Sequence, residues 1–325
     1  MNDTGVNQRE WIGREQRVAD VITAAPLVGL SATLDRQDPV PQDGDLIPPF
    51  WHWLYFLPRT RSSELGADGH ARLGGFLPPI EFPHRMWAGS RVAFEQALHV
   101  GDQVERVSRI ADITEKTGRS GRMVFVTVEH TIHSPLGIAV REAQDLVYRE
   151  HSTASVAVPP STTVALAPDF SRVITPDPVL LFRYSALTFN SHRIHYDRRH
   201  AMDIEGYPGL LVHGPLIATL LLELLRDTVA GATVRSFAFR AERPLFDTAS
   251  FSIHGRLHEG NHLRALGARP EWSARRPCTR DTRVMSQHLR RLPGYSRRGS
   301  RVLRHRSRRL SSAGRRRTRV STSVR

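Results

Sequence analysis

The chain has 325 residues, 40% of them hydrophobic, with one cysteine and a formal net charge of +14. That length holds one large domain or two ordinary ones with sizeable cores. Three features are excluded: an intramolecular disulfide or a cysteine-paired zinc site, by the lone Cys278; a membrane span, by the absence of an apolar run near the roughly 18–20 residues one needs; and a signal peptide, by the polar start MNDTGVNQREW, so a cytosolic protein is expected.

In chain order, WIGREQRVADVITAAPLVGLSATLDR (11–36) spaces Ile12, Val18, Val21, Ile22, Leu27 and Leu30 at mixed helical intervals, with Pro26 as a break, and predicts one or two short helices. The next stretch, from LIPPFWHWLYFLPRT to LGGFLPPIEFPHRMWAGS (46–90), is dense in Pro, Gly and aromatics and predicts loops packed on an apolar surface. From Arg91 to Glu150 the pattern predicts three to four antiparallel strands with turns at Gly101, Gly118–Gly121 and Pro135–Gly137; Val124, Val126 and Val128 alternate through the central one. Residues 151–178, rich in Pro, Ser, Thr and Ala, read as a linker.

Beyond the linker, LLFRYSAL predicts a strand, LIATLLLELLRDTVA a helix apolar nearly all round and therefore buried, and VRSFAFRAERPLF and SFSIHGRL two more strands. A central helix wrapped by an antiparallel sheet suits these elements, an α+β arrangement. Of the net +14, residues 263–325 supply +18, twenty Arg against Glu271 and Asp281, which leaves −4 for residues 1–262. This tail has no 3.6 or 2 period and predicts disorder. With one lysine, Lys116, against 45 arginines, the composition suggests GC-rich codons, so the tail reads as out-of-frame translation, against an arginine-rich arm for nucleic acid or an anionic surface, or a plain solvated extension.

The chemistry concentrates in RYSALTFNSHRIHYD (183–197) and in HGP (213–215) at the start of the buried helix. Pro215 fits a first helical turn, which puts the backbone N–H groups around His213 and Gly214 at the positive end of the helix dipole. A neutral imidazole, His195, can take a proton, and the Asn190 amide can hold water or a hydroxyl. Together with the helix N-terminus these parts suffice to add or remove water across the double bond of an acyl thioester. Asp197 reads as a cap or a support for His195, Tyr184 as core or pocket wall, and His213 as a substrate contact or a hydrogen bond that shapes the helix start. His192, His195 and Asp197 lack a third distant ligand, so no metal is expected. Trp51, His52, Trp53, Tyr55 and Phe56 read as core or acyl-pocket lining. Arg85 and Arg91 are candidates for CoA phosphates or a substrate carboxylate, with plain surface arginines as the simpler reading.

The segments TFNSHRIHYD and GYPGLLVHGPLIATLL resemble the MaoC-like hydratase/dehydratase family with the hotdog fold. PPFWHWLYF, GGFLPP and RMWAG bring the resemblance closer to its mitochondrial-type 3-hydroxyacyl-thioester dehydratase and mesaconyl-C4-CoA hydratase branch. The resemblance covers about residues 10–260. It implies a double hotdog: residues 1–150 as a non-catalytic hotdog-like half, the linker 151–178, residues 179–262 as a catalytic half that the tail truncates, and the basic tail 263–325. It implies a hydro-lyase of fatty acid or acyl-CoA metabolism acting on a CoA or acyl-carrier-protein thioester, with no cofactor, a homodimer as a candidate assembly, and a mitochondrial setting if the cell is eukaryotic. His195 stands at the family's catalytic histidine, Asn190 at its catalytic aspartate and Gly214 at the glycine whose N–H polarises the thioester. Because an amide cannot accept a proton, His195 must carry it. A hotdog thioesterase, a tail-mediated nucleic-acid binder and an inactive frame-shifted product stand as alternatives.

Overall fold

A computed structural model describes residues 7–82, 84–118, 121–150, 168–241, 243–258, 262–270 and 317–322. The first half opens with β1 (Glu15–Val21) and α1 (Ala24–Thr33), crosses a long loop region to β2 (His84–Phe94), and continues through β3 (Gln103–Gly118), β4 (Gly121–Ser134) and β5 (Gly137–Arg149). The turns at Gly101, Gly121 and Gly137 use left-handed backbone, as the sequence predicts. β1 departs from the helical expectation: it pairs antiparallel with the edge of β3, Glu15 opposite Arg109 through Val21 opposite Gln103. Its Arg17, Val18, Ala19, Asp20 run meets a partner with a free edge, which outweighs a weak helical period.

The second half comprises β6 (Phe170–Ile174), α2 (Pro178–Leu187), α3 (Gly214–Thr228), β7 (Thr233–Val234), β8 (Ser236–Arg240), β9 (Phe251–His258), β10 (His262–Pro270) and β11 (Arg317–Thr322). Two expectations are corrected. LLFRYSAL is not a strand but most of α2: the Asp177 carboxylate accepts from the N–H groups of Val179 (2.7 Å) and Leu180 (2.9 Å), and Pro178 opens the first turn. The linker is not wholly irregular: β6 falls inside it and pairs with β9, while residues 151–167 lie outside the described residues. Within the stretch expected to be disordered, β10 returns antiparallel to β9 and β11 lies parallel to both β10 and β7. The rest of the tail, 271–316 and 323–325, lies outside the described residues.

Two sheets result, in the orders β1-β3-β4-β5-β2-β8 and β6-β9-β10-β11-β7. β8 belongs to the second half yet pairs with β2 of the first, Gly89 opposite Arg240 through Ala93 opposite Ser236, so the halves share a sheet. α3 packs on β9, β2 and β6, and its Leu216, Leu220, Leu221, Leu224 and Leu225 are buried in a core shared with Leu27 and Leu30 of α1. The first sheet is antiparallel throughout and the second is antiparallel from β6 to β10; with α3 packed on strands of both, the arrangement is the α+β double hotdog. The aromatic cluster is core: Trp51, Tyr55 and Phe56 are buried, the Trp51 indole donates to Glu223 (2.8 Å), and the Tyr55 hydroxyl donates to the Thr23 carbonyl (2.6 Å). Of this cluster only Phe56 reaches the cavity described below. No helix among the described residues is long and apolar enough to cross a membrane.

Candidate active site

α2 ends in a sharp turn that aims Asn190. Phe189 takes a left-handed φ of 50°, costly for a bulky residue, while the Asn190 N–H donates to the Ser185 carbonyl at 2.8 Å. Asn190 Oδ1 accepts from the His192 N–H (3.1 Å), which orients the amide and leaves its NH₂ free to donate to a ligand. The chain then closes a short 3-10 turn over Arg193–His195. Asp197 fixes that turn: it accepts from the Arg193 guanidinium at 2.7 and 3.0 Å and from the His200 N–H at 3.1 Å. These bonds hold its carboxyl below the ordinary range, the His200 N–H first and Arg193 next, so Asp197 is a cap that stays ionised.

His195 is buried. Its Nδ1 lies 2.8 Å from the Leu211 carbonyl, which can only accept, so Nδ1 carries the proton and Nε2 is the basic nitrogen. Desolvation pushes its pKa down to about 4; the Leu211 bond opposes the shift and His70 adds to it. The ring is therefore neutral at pH 7.

His213, expected at the substrate or at the helix start, takes the second place. It stacks behind His195 at 3.7 Å between ring centroids and 17° between planes, and its Nε2 pairs with the Ser185 hydroxyl at 2.8 Å. It is fully buried and does not line the cavity, so it backs the His195 ring rather than meeting substrate. Tyr184 packs edge-on against His213 at 5.0 Å and is likewise core, its pKa raised by burial. Gly214 opens α3. A Cβ there would lie 2.9 Å from Cε3 of Trp87, so a glycine is required for the helix N-terminus to approach β2.

Asn190, His195 and Gly214 line one cavity of about 1400 Å³. Its far wall comes from the first half. The loop around Ala67–His70 docks on the Asn190 loop: the Arg193 N–H donates to the Asp68 carbonyl (2.9 Å), the Arg193 side chain to the Ala67 carbonyl (3.0 Å), and the Ser191 hydroxyl to the Gly69 carbonyl. The His70 ring pairs with Asp68 at 2.8 Å and lies 3.9 Å from the His192 ring, which meets His195 edge-on at 5.5 Å. The sequence reading missed Asp68 and His70. The D-x-H pair in GADGHAR is visible, but its meeting with a loop some 120 residues away is not. Ligand atoms of Asp68, His70 and His192 lie within 4.8 Å of one another, a grouping the sequence reading did not foresee. Arg91 is tied to Asp145 and leaves the candidate list, whereas Arg85 lines the cavity.

The family model described as hydroxyacyl-thioester dehydratase type 2 matches residues 50–247. A mesaconyl-C(4)-CoA hydratase of Chloroflexus aurantiacus is 48% identical over 249 residues, covering 76% of this chain and 88% of that protein. A mitochondrial hydroxyacyl-thioester dehydratase type 2 of Schizosaccharomyces pombe is 28% identical, covering 70% and 85%. Among solved structures, a MaoC-like dehydratase superposes with a TM-score of 0.58 at 12% identity, covering 81% of this chain and 97% of that one. HtdX from Mycobacterium tuberculosis gives 0.55 at 16% identity, covering 78% and 96%. At these identities the two structures speak for the fold alone.

Proposed function

The chain belongs to the hydroxyacyl-thioester dehydratase type 2 family, and from that membership we propose that His195, Asn190 and Gly214 hydrate and dehydrate an acyl thioester in the cavity they line. The protein is a hydro-lyase, and the reaction class is the addition or removal of water across the C2–C3 bond of an acyl thioester.

In the hydration direction the thioester oxygen accepts from the Gly214 N–H at the positive end of α3. The Asn190 NH₂ donates to the water oxygen, and Nε2 of His195 accepts a water proton as the oxygen bonds to C3. The C2–C3 π pair shifts toward the thioester, and its oxygen gains charge against the helix N-terminus. His195 then returns the proton to C2, so the water's oxygen and both of its hydrogens end in the product and the imidazole is neutral again. Dehydration runs the same steps in reverse. The observation that carries this reading is the Nδ1–Leu211 hydrogen bond, which leaves Nε2 of a neutral ring as a base beside an amide that cannot be one.

The substrate we propose is a short enoyl- or 3-hydroxyacyl-CoA, with the mesaconyl type first because of the 48% relative. The proposed compartment is the cytoplasm, or the mitochondrion of a eukaryotic cell. Mesaconyl-C4-CoA, crotonyl-CoA and 3-hydroxybutyryl-CoA, followed at the enoyl-thioester absorbance band, test the function. Loss of that band from the two enoyl thioesters, or its appearance from 3-hydroxybutyryl-CoA, without free thiol supports hydration and dehydration; release of thiol points to thioester hydrolysis instead.

A further inference from the structure

The cavity wall carries an electrostatic imbalance that the hydration chemistry does not use. Among the described residues, Arg59, Arg72, Arg85, Arg106 and Arg243 line it, against Glu64 as carboxylate. Several of these arginines have work elsewhere: Arg59 approaches Asp20 at 4.0 Å, Arg72 donates to the Leu65 carbonyl, and Arg106 donates to the Phe56 carbonyl under the field of Glu142 and Asp20. Arg85 makes no ion pair among the described residues. Asp68, the carboxylate beside the His70 ring, is engaged by that ring at 2.8 Å and by the His70 N–H at 3.0 Å.

Arg85 also stands close to the reacting groups. It shares a face of β2 with Trp87, about 7 Å along the strand at the usual rise, and the Trp87 ring abuts Gly214. Its charge acts on both the His70 and the His192 ring, and His192 in turn meets His195. Beside it on the neighbouring strand, the buried Tyr148 hydroxyl lies within the reach of the Arg85 guanidinium, the polar neighbour that acts on it most directly. A half-buried guanidinium that lines the cavity without a carboxylate partner among the described residues leaves an anion's place open on that wall.

We propose that Arg85, in the corner it forms with His70 and His192, is a specificity-determining anion site that binds a carboxylate on the acyl chain of the substrate. The proposal rests on the hydratase reading above and narrows it to monothioesters of dicarboxylic acids. A guanidinium fits a carboxylate in two parallel hydrogen bonds, which selects geometry as well as charge.

The test compares wild type with Arg85→Gln and Arg85→Lys on four substrates: mesaconyl and crotonyl groups, each as the CoA thioester and as the N-acetylcysteamine thioester, which carries no phosphate. The expected result is that Arg85→Gln lowers the mesaconyl-to-crotonyl ratio of kcat/KM by about 10-fold or more on both carriers, with Arg85→Lys between. An unchanged ratio overturns the proposal. So does a loss confined to CoA substrates and equal for both acyl groups, which would assign Arg85 to the CoA phosphates. If wild type hydrates none of the four, the function reading fails, and calorimetric titration with mesaconate decides the site separately. Binding that Arg85→Gln weakens about 10-fold upholds it, and equal or absent binding ends it.

Discussion

At position 190 an amide stands where the family resemblance implies a carboxylate, and on the proposed reading this difference puts the proton work on His195. Asn190 Oδ1 accepts from the His192 N–H, which turns the amide so that its NH₂ can donate to a bound oxygen. Asn190→Ala is expected to lower kcat/KM roughly 10²-fold, the cost of one preorganised donor, with little change in Tm; activity within 2-fold of wild type (roughly) would leave the amide without a role. As the proposed base, His195 must be deprotonated, and burial pushes its pKa down to about 4. Its activity is therefore full at neutral pH and declines only as pH falls through about 4. A pH profile of kcat/KM with its acid limb near the ordinary histidine value, about 6.5, would contradict a desolvated His195 as the base.

Among the elements, the loop from the first half is the least local part of the site. Gly69 holds φ at +89°, and a Cβ there would sit 1.9 Å from the Ser191 carbonyl oxygen. Gly69→Ala must therefore push the docking loop away from Asn190 and His192. The expected outcome is a fall in kcat larger than the fall in Tm implies, read from kinetics and thermal unfolding on the same preparation. Unchanged kinetics would mean that the first half is only a scaffold. This is also where legibility in the sequence ends. α3 was readable because it is apolar nearly all round and starts with Gly-Pro, and β3, β4 and β5 because their turns carry glycine. α2 was misread because Leu180, Leu181, Phe182 and Tyr184 suit a buried strand, although the Asp177-Pro178 cap was present to correct it. β1 and β6 needed partners far along the chain, as did the pairing of Asp68 and His70 with His192. The motif residues Asn190, His195 and Gly214 were legible because they crowd one loop and one helix start. His213 shared that motif, but its place behind the ring was set by packing against Ser185 and Tyr184.

For the molecule as a whole, buried titratable groups make acid lability the expected behaviour. Desolvation lowers His195 and His130 to about 4 and His192 to about 2. An unfolded histidine takes its proton near pH 6.5, so the unfolded state binds more protons below that pH and stability falls as pH drops from about 6.5 toward 4. Glu142 acts lower down: His52, His130 and Ser90 outweigh the burial that would raise its pKa and hold it at about 2, so its contribution is lost as pH falls from about 4.5 to 2. A Tm that is flat between pH 7 and 4 would contradict these buried neutral imidazoles. At the same scale, the family match ends at residue 247, before the arginine-rich stretch, and we propose that the tail is read out of frame. A neighbouring frame after about codon 262 that encodes alternating strands would support this, and its absence would end the idea.

The central claim is that one group, His195, carries the proton. It is tested most directly by His195→Ala, with hydration of mesaconyl-C4-CoA or crotonyl-CoA followed at the enoyl-thioester band and folding checked by circular dichroism. The account predicts a loss of about 10²–10⁴-fold, the range for a general base, in a protein that keeps its native spectrum. Near wild-type turnover in the folded variant would contradict it.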